Sequence, residues 1–191
     1  MKKLAALMLT LTLALSVTAC GGAGKGGTAK DDTEGKKAVD ILTDVWADYK
    51  DDEKFALIGG DYENMVSDAP GTVNVKDGET LDGLLGFPAD QAEKLDDGAS
   101  MMHMMNQNTF TAAAYHVADA ANVADVAKAL KENIMNRQWM CGFPDDLVIF
   151  TVGTNYVVAV YGAEEVVDSF EDHLEAVYAS AEDLYDEDLT F

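Results

Sequence analysis

Residues 147–161 read Leu147-Val148-Ile149-Phe150-Thr151-Val152-Gly153-Thr154-Asn155-Tyr156-Val157-Val158-Ala159-Val160-Tyr161. Two runs rich in β-branched and aromatic residues, which strands favour, flank the three residues Gly153-Thr154-Asn155. A short connection with a glycine between two such runs is typical of a β-hairpin. This hairpin decides the fold class, because the neighbouring segments must supply the rest of a sheet.

A second pair of strands is predicted before the hairpin, at Met101 to Met105 and Phe110 to Ala118, joined through the polar turn Asn106-Gln107-Asn108. An amphipathic helix follows each pair. The first begins after Asn122 and buries Val123, Val126, Ala127, Leu130 and Ile134, and the second runs from Ala163 to about Ser180. The order ββαββα predicts an α+β fold, in which an antiparallel sheet carries its helices on one face.

An N-terminal helix and a loop-rich segment precede this unit. Ala38 to Tyr49 has apolar residues at helical spacing, and Gly59-Gly60, Ala69-Pro70-Gly71 and Asp77-Gly78 break the chain that follows. A short helix is expected from Pro88 to Leu95. We therefore expect one domain over residues 38–191, helical and loop-rich in 38–100 and ββαββα in 101–180.

The first 19 residues have the pattern of a secretory signal peptide. Lys2 and Lys3 precede the apolar run from Leu4 to Val17, which is too short to span a bilayer. The run ends in Thr18-Ala19-Cys20, as in a bacterial lipobox. We predict that Cys20 is acylated and holds the protein on the membrane, with residues 20–37 as a Gly/Lys-rich tether. The expected location is the outer face of the plasma membrane of a Gram-positive bacterium.

The predicted domain is strongly acidic. Of the 35 acidic and 13 basic residues in the chain, three acidic and six basic ones precede Ala38, which leaves 32 and 7 in the domain. Binding to nucleic acid needs clustered lysine and arginine, so nucleic acid is excluded as a partner. Besides favouring solubility, the charge predicts an attraction for a basic envelope protein or a basic peptide.

Met101-Met102-His103-Met104-Met105 places four thioethers and an imidazole in five consecutive positions. Copper(I) favours both kinds of ligand. Because side chains alternate along a strand, only Met101, His103 and Met105 share a face, and these three are the candidate metal ligands. The preferred interpretation is core packing, in which Met104 lies opposite Phe110 and makes a sulfur–aromatic contact. No metal or other cofactor is therefore predicted.

Cys141 is the one thiol left once Cys20 is acylated. We expect it to be buried between Trp139 and Phe143, because a free surface thiol is a liability in an oxidising compartment. The alternatives are a disulfide with another protein and the nucleophile of a cysteine hydrolase, with His116 or His103 as its base. The sequence contains no established catalytic motif, so the protein is expected not to be an enzyme.

Three sequence blocks carry a resemblance to a known family. They are Gly59-Gly60-Asp61-Tyr62-Glu63-Asn64-Met65-Val66 with Asp68-Ala69-Pro70-Gly71, His103-Met104-Met105-Asn106 with Asn108-Thr109-Phe110-Thr111, and Arg137-Gln138-Trp139-Met140-Cys141-Gly142-Phe143-Pro144-Asp145. The chain resembles small lipoproteins of gut clostridia that often carry the label "bacteriocin transport accessory protein", and its second half also resembles a broader clostridial lipoprotein domain. The resemblance implies a lipoprotein linked to peptide export. The Trp-Cys-x-x-Cys centre of thioredoxin-like export accessories is not matched, because Pro144 stands where the second cysteine would be.

The leading hypothesis is a lipid-anchored binding or accessory protein that presents an acidic surface to an envelope partner, such as an exporter or an exported basic peptide. The second is a ligand-binding or soft-metal-binding lipoprotein that uses the hairpin around His103, and the third is a cell-wall hydrolase centred on Cys141. A partner-binding module should expose an apolar patch, whereas a ligand binder needs a pocket lined by methionine and aromatic side chains. A hydrolase needs Cys141 in a cleft, within reach of a histidine.

Overall fold

Eight strands form one antiparallel sheet in the computed structural model, which describes residues 32–140 and 142–189. Their bounds are β1 Leu57–Gly59, β2 Val66–Ser67, β3 Gly71–Thr72, β4 Leu95–His103, β5 Phe110–Val117, β6 Asp146–Val152, β7 Tyr156–Gly162 and β8 Glu182–Asp188. They follow the order β2-β1-β4-β5-β7-β6-β8, and β3 pairs separately with β4. The predicted α+β class with an antiparallel sheet is confirmed.

Four α-helices accompany the sheet, namely α1 Ala38–Asp48, α2 Gly78–Leu85, α3 Val123–Met135 and α4 Glu164–Val177. Short 3-10 helices span Ala89–Lys94, Gln107–Thr109 and Ala120–Asn122. The helices predicted from Ala38 and after Asn122 are confirmed, and all five residues predicted for the apolar face of α3 are buried. Asn122 makes no side-chain bond to the helix, whereas Asp119 accepts a hydrogen bond from the amide of Ala121.

The hairpin of residues 147–161 forms as predicted. Val152 pairs with Tyr156 across the three-residue turn, and Gly153 has a φ of 60°, a conformation that glycine adopts without strain. Nearly every residue of β5, β6 and β7 is buried. Central strands of this kind are covered on both faces.

The helices cover both faces of the sheet, so the expected single helical face is corrected to two. Residues of α2 and α3 share a core with Tyr115, Ile149 and Tyr161 on one face. Residues of α1 and α4 share a second core with Phe150 and Val158 on the other face.

The path of the chain explains the two faces. α3 joins β5 to β6 by crossing over β7, and α4 joins β7 to β8 by crossing over β6 in the same lateral direction. β5 and β7 run antiparallel to each other. Because crossovers between parallel strands are almost always right-handed, two crossovers that start in opposite directions place their helices on opposite faces.

The register between β4 and β5 corrects the predicted packing of the methionines. Met102 pairs with Thr111 and Met101 with Ala112. β4 ends at His103, and residues 104–109 form a longer connection than the predicted three-residue turn. Met104 is therefore not opposite Phe110, and its side chain is 42% exposed. The predicted contact between Met104 and Phe110 is wrong.

Candidate functional site

Three loops that are distant in sequence meet beside the end of the sheet where β4 turns into β5. One groove is lined by Tyr62 and Met65 from the β1–β2 loop together with Met102 and Gln107. Asn108 follows Gln107, and its side-chain amide donates hydrogen bonds to the carbonyl oxygens of Met140 and Gly142, at 3.1 and 3.0 Å. The loops 60–66, 104–108 and 137–143 therefore form one continuous surface.

Large apolar side chains are concentrated on this surface. Nine exposed large apolar side chains occur among the described residues, and seven of them lie in these loops or in β2. We call these seven the apolar patch: Tyr62, Met65, Val66, Met104, Met105, Met140 and Phe143. Met105 and Met140 are the most exposed of them, at 81% and 79%. Exposed apolar side chains gathered on loops that meet mark an interaction surface, and methionine adapts to partners of different shape.

The β1–β2 loop is held by Asp61, which is buried. Its carboxylate accepts hydrogen bonds from the backbone amides of Glu63 and Asn64 at 3.0 and 2.9 Å, and from Asn74 at 2.6 Å. Burial acts to raise the pKa of Asp61, but these amides outweigh it and hold the pKa below its usual value. Tyr62 and Met65 are thus displayed from a loop that is fixed at its base.

The third loop is fastened by Arg137 and Trp139. The guanidinium of Arg137 lies 5.1 Å from the ring of Trp139 and donates to the carbonyl of Gly83 in α2. The ring of Trp139 in turn packs on Tyr161 at 5.3 Å between centroids. The chain is therefore anchored immediately before Met140, whose side chain points into solvent.

The Met/His stretch does not assemble the proposed ligand set. Met101 is fully buried in the core on the α1 and α4 face, whereas Met105 lies beyond the end of β4 and is exposed. His103 stacks on Phe55, and its Nδ1 accepts from the amides of Met105 and Asn106 at 3.2 and 3.3 Å. The stretch thus divides into two core residues, a turn-organising histidine and two methionines of the apolar patch.

Cys20 and Cys141 lie outside the described residues, so their predicted roles stay predictions. The flanking Met140 and Gly142 contact Asn108, whereas His116 lies near the opposite end of β5, about 20 Å away along the strand. Phe143, expected to cover Cys141, is exposed. None of the helices in the described ranges is long and apolar enough to cross a membrane.

A second cleft, of about 460 Å³, is lined by Lys36, Lys37, Thr72, Asp96, Asp97, His116 and Tyr156. Its polar groups pair with one another. Asp96 contacts His116, Asp97 accepts from the amide of Ala38 at 2.8 Å, and the hydroxyl of Tyr156 donates to the carbonyl of Lys36 at 2.6 Å. These bonds fasten residues 36–38 to the sheet, so we interpret the cleft as the joint between the N-terminal segment and the domain.

Carboxylates cover the surface between α4 and β8. We call Asp146, Asp168, Glu171, Glu175, Asp183, Asp186 and Asp188 the acidic face. The pKa of Glu171 is raised from 4.5 to about 7, mainly by partial burial and to a smaller extent by the negative charges of Asp183 and Glu175. Burial is also the main reason why the pKa values of Asp146 and Asp183 are raised, and neighbouring carboxylates add to the effect. No lysine, arginine or histidine in the described ranges forms an ion pair with any of the seven.

The acidic face begins next to the apolar patch. The amide of Leu189, directly after β8, donates to the carbonyl of Asp145, two residues after Phe143. Within the acidic face, the carboxylates of Glu171, Glu175 and Asp183 lie within 4.8 Å of one another. In the described ranges, this is the one group of three or more acidic, histidine or cysteine side chains that are close enough to share a cation.

The sequence predicted an acidic binding surface but not its location, and it did not predict the apolar patch. A signal for the acidic face was present, since residues 138–191 contain thirteen acidic residues and no lysine or arginine. The apolar patch had a weaker signal, the four methionines of residues 101–105, which alternation along a strand assigned to the core. Tyr62 and Met65 carry no local signal, because only the fold brings their loop beside Gln107.

The comparisons with known proteins add no identity. No protein-family model, no curated protein and no solved structure matches the chain.

Proposed function

We propose that this protein is a lipid-anchored, extracytoplasmic binding module for a cationic, amphipathic segment of a partner protein or peptide, and that it is not an enzyme. The observation that carries the proposal is the apolar patch, where seven of the nine exposed large apolar side chains in the described ranges lie on loops that meet. The anchor at Cys20, the clostridial lipoprotein family and the link to peptide export belong to the same proposal.

The charge around the patch selects the partner. Glu63, Asp68 and Asp145 are exposed beside the patch, and the acidic face continues from Asp146. The chain as a whole has a formal net charge of −22. A segment with one apolar face and flanking lysine or arginine would bury the methionines and also neutralise the rim.

Two other occupants fit less well. A second copy of the chain would bring acidic rims together, and like charges across an interface cost several kcal/mol. An anionic lipid surface would repel the acidic domain for the same reason. A cationic protein segment is the occupant that satisfies both the apolar surface and its charge.

The test uses two synthetic 18-residue peptides of leucine and lysine with the same composition. In one peptide the leucines form a single helical face, and in the other they are evenly scattered. We expect the full chain in nonionic detergent to bind the amphipathic peptide at least tenfold more tightly in fluorescence titrations. Equal affinity for the two peptides would show that charge alone drives binding and would overturn the role of the patch.

Matched variants locate the site. Replacing Met105 and Met140 together by serine should weaken binding of the amphipathic peptide by about tenfold, the equivalent of roughly 1.4 kcal/mol. Met135→Ser is the control, because Met135 is an exposed methionine outside the three loops. A loss of affinity in the control as large as in the double variant would contradict the proposal.

A further inference from the structure

Strand β8 forms one edge of the sheet and is seven residues long. It pairs with β6 on its inner side, and no strand among residues 32–140 and 142–189 pairs with its outer side. The backbone N–H and C=O groups along that outer side are therefore a template for another strand. The opposite edge, β2, has two residues and offers a much shorter template.

The side chains of β8 differ between the two faces of the sheet. Tyr185 and Glu187 face α3, where Lys131 lies over the Tyr185 ring and contacts the Glu187 carboxylate at 2.8 Å. Asp183, Asp186 and Asp188 pair with β6 residues of the α4 side and belong to the acidic face. An incoming strand would thus meet three carboxylates on one face, with Asp186 and Asp188 at alternate positions and Asp183 beyond the register shift in the β6–β8 pairing.

A second copy of β8 is a poor occupant of this edge. Pairing of two β8 strands would place Asp183, Asp186 and Asp188 of one copy beside the same carboxylates of the other, and like charges across a strand pair destabilise it. The acidic side chains therefore act against self-association, as charges on edge strands generally do. They leave the edge available to a strand of opposite charge.

We propose that the outer edge of β8 binds an extended basic segment by β-strand addition. Backbone hydrogen bonds to β8 would supply affinity. Lysine or arginine at every second position would face Asp186 and Asp188, and a further basic residue would face Asp183 beyond the register shift and reach Glu171 and Glu175 on α4. The proposal shares with the proposed function the acidic face and the positive charge of the partner, but it depends on backbone pairing along β8 and not on the apolar patch.

The test compares three eight-residue peptides in which lysine alternates with valine or threonine, the first without methyl groups. The second peptide carries N-methyl groups on every second backbone amide along one edge, so that it keeps the charge but cannot pair through that edge. A third peptide is methylated along the other edge. We expect the unmethylated peptide to slow hydrogen exchange at the outward-facing amides of residues 182–188 at least tenfold. Of the two methylated peptides, the one whose methyl groups lie on the edge that pairs with β8 should bind more weakly than the other.

Variants and controls separate this proposal from the proposed function. Asp186→Asn combined with Asp188→Asn should weaken the strand peptide by three- to tenfold, whereas Asp51→Asn with Asp52→Asn, exposed acidic residues after α1, should not. The serine variant of Met105 and Met140 should bind the strand peptide normally. A wild type that does not prefer the amphipathic peptide but still binds the strand peptide would overturn the proposed function alone.

Two results would overturn the strand proposal. The first is equal affinity of methylated and unmethylated peptides, which would mean that charge and not pairing holds them. The second is full protection of the outer β8 amides in the full chain before any peptide is added. That protection would mean that the chain's own N-terminal segment or a second copy already covers the edge, and sedimentation would distinguish these two.

Discussion

Glu171 on α4 and Asp183 on β8 place carboxylate oxygens within 4.8 Å of each other at the surface. Neither carboxylate has a cationic partner among residues 32–140 and 142–189. The contact is therefore repulsive when both groups are ionised. Partial burial and, after it, this repulsion raise the pKa of Glu171 to about 7.

The raised pKa of Glu171 predicts a pH dependence of stability. A carboxyl group with a raised folded-state pKa holds its proton more tightly in the folded protein, so the free energy of unfolding falls as pH rises from about 4.5 to about 7. We expect Glu171→Gln to stabilise the protein at pH 8 by about 1 kcal/mol, after allowance for solvent screening, and to have little effect at pH 4.5. Urea denaturation at the two pH values measures this.

Asp172→Asn is the control for that prediction, because Asp172 is the next residue along α4 and is not part of the close carboxylate group. Its effect should stay within about 0.5 kcal/mol at both pH values. A Glu171→Gln variant that is no more stable than the wild type at pH 8 would contradict the prediction.

Much of the sheet could be predicted from local patterns, because the hairpin of residues 147–161 and α3 have strong periodicity and turn signals. The sequence also indicates that both faces of the sheet are covered, because the residues of β5, β6 and β7 form nearly continuous apolar runs and do not alternate with polar ones. β8 could not be predicted, because a strand of mainly acidic residues has poor intrinsic propensity and forms through its pairing with β6.

The surfaces were harder to predict than the fold. Alternation correctly buried Met101 and Met102, but the end of β4 at His103 released Met104 and Met105 to solvent. The position of a strand end is set by tertiary pairing, here by Leu57 opposite His103, and a local pattern does not contain that information. The approach of Met140 to Asn108 is likewise a contact between residues 32 positions apart.

Gly59 and Gly83 give a matched test of the backbone around the groove. A Cβ on Gly59 would lie 2.3 Å from the backbone nitrogen of Gly71, whereas a Cβ on Gly83 would meet nothing within 4 Å. We expect Gly59→Ala to destabilise the protein by about 2–3 kcal/mol through overpacking. Gly83→Ala, within α2, should stabilise it by roughly 0.5–1 kcal/mol. Urea denaturation measures both effects. If the two substitutions changed the free energy of unfolding in the same direction, the close approach of Gly59 and Gly71 would be contradicted.

The predicted lipid anchor can be tested through Cys20. We expect Cys20→Ser to move the protein from the membrane fraction to the soluble fraction of cells, because acyl chains supply stable attachment. Cys141→Ser is the matched control and should leave the distribution unchanged. A Cys20→Ser protein that stays on the membrane would show that another segment or a partner holds it there.

Copper(I) should bind no differently to the wild type and to His103→Ala. His103 already accepts two backbone amides through Nδ1, Met101 is fully buried, and Met105 lies beyond the end of β4, so the three side chains do not converge on one ion. Anaerobic isothermal titration calorimetry of both proteins is the measurement, with equal weak heats as the expected result. Saturable binding in the wild type that is lost in His103→Ala would restore the soft-metal hypothesis and require the β4–β5 connection to rearrange around the metal.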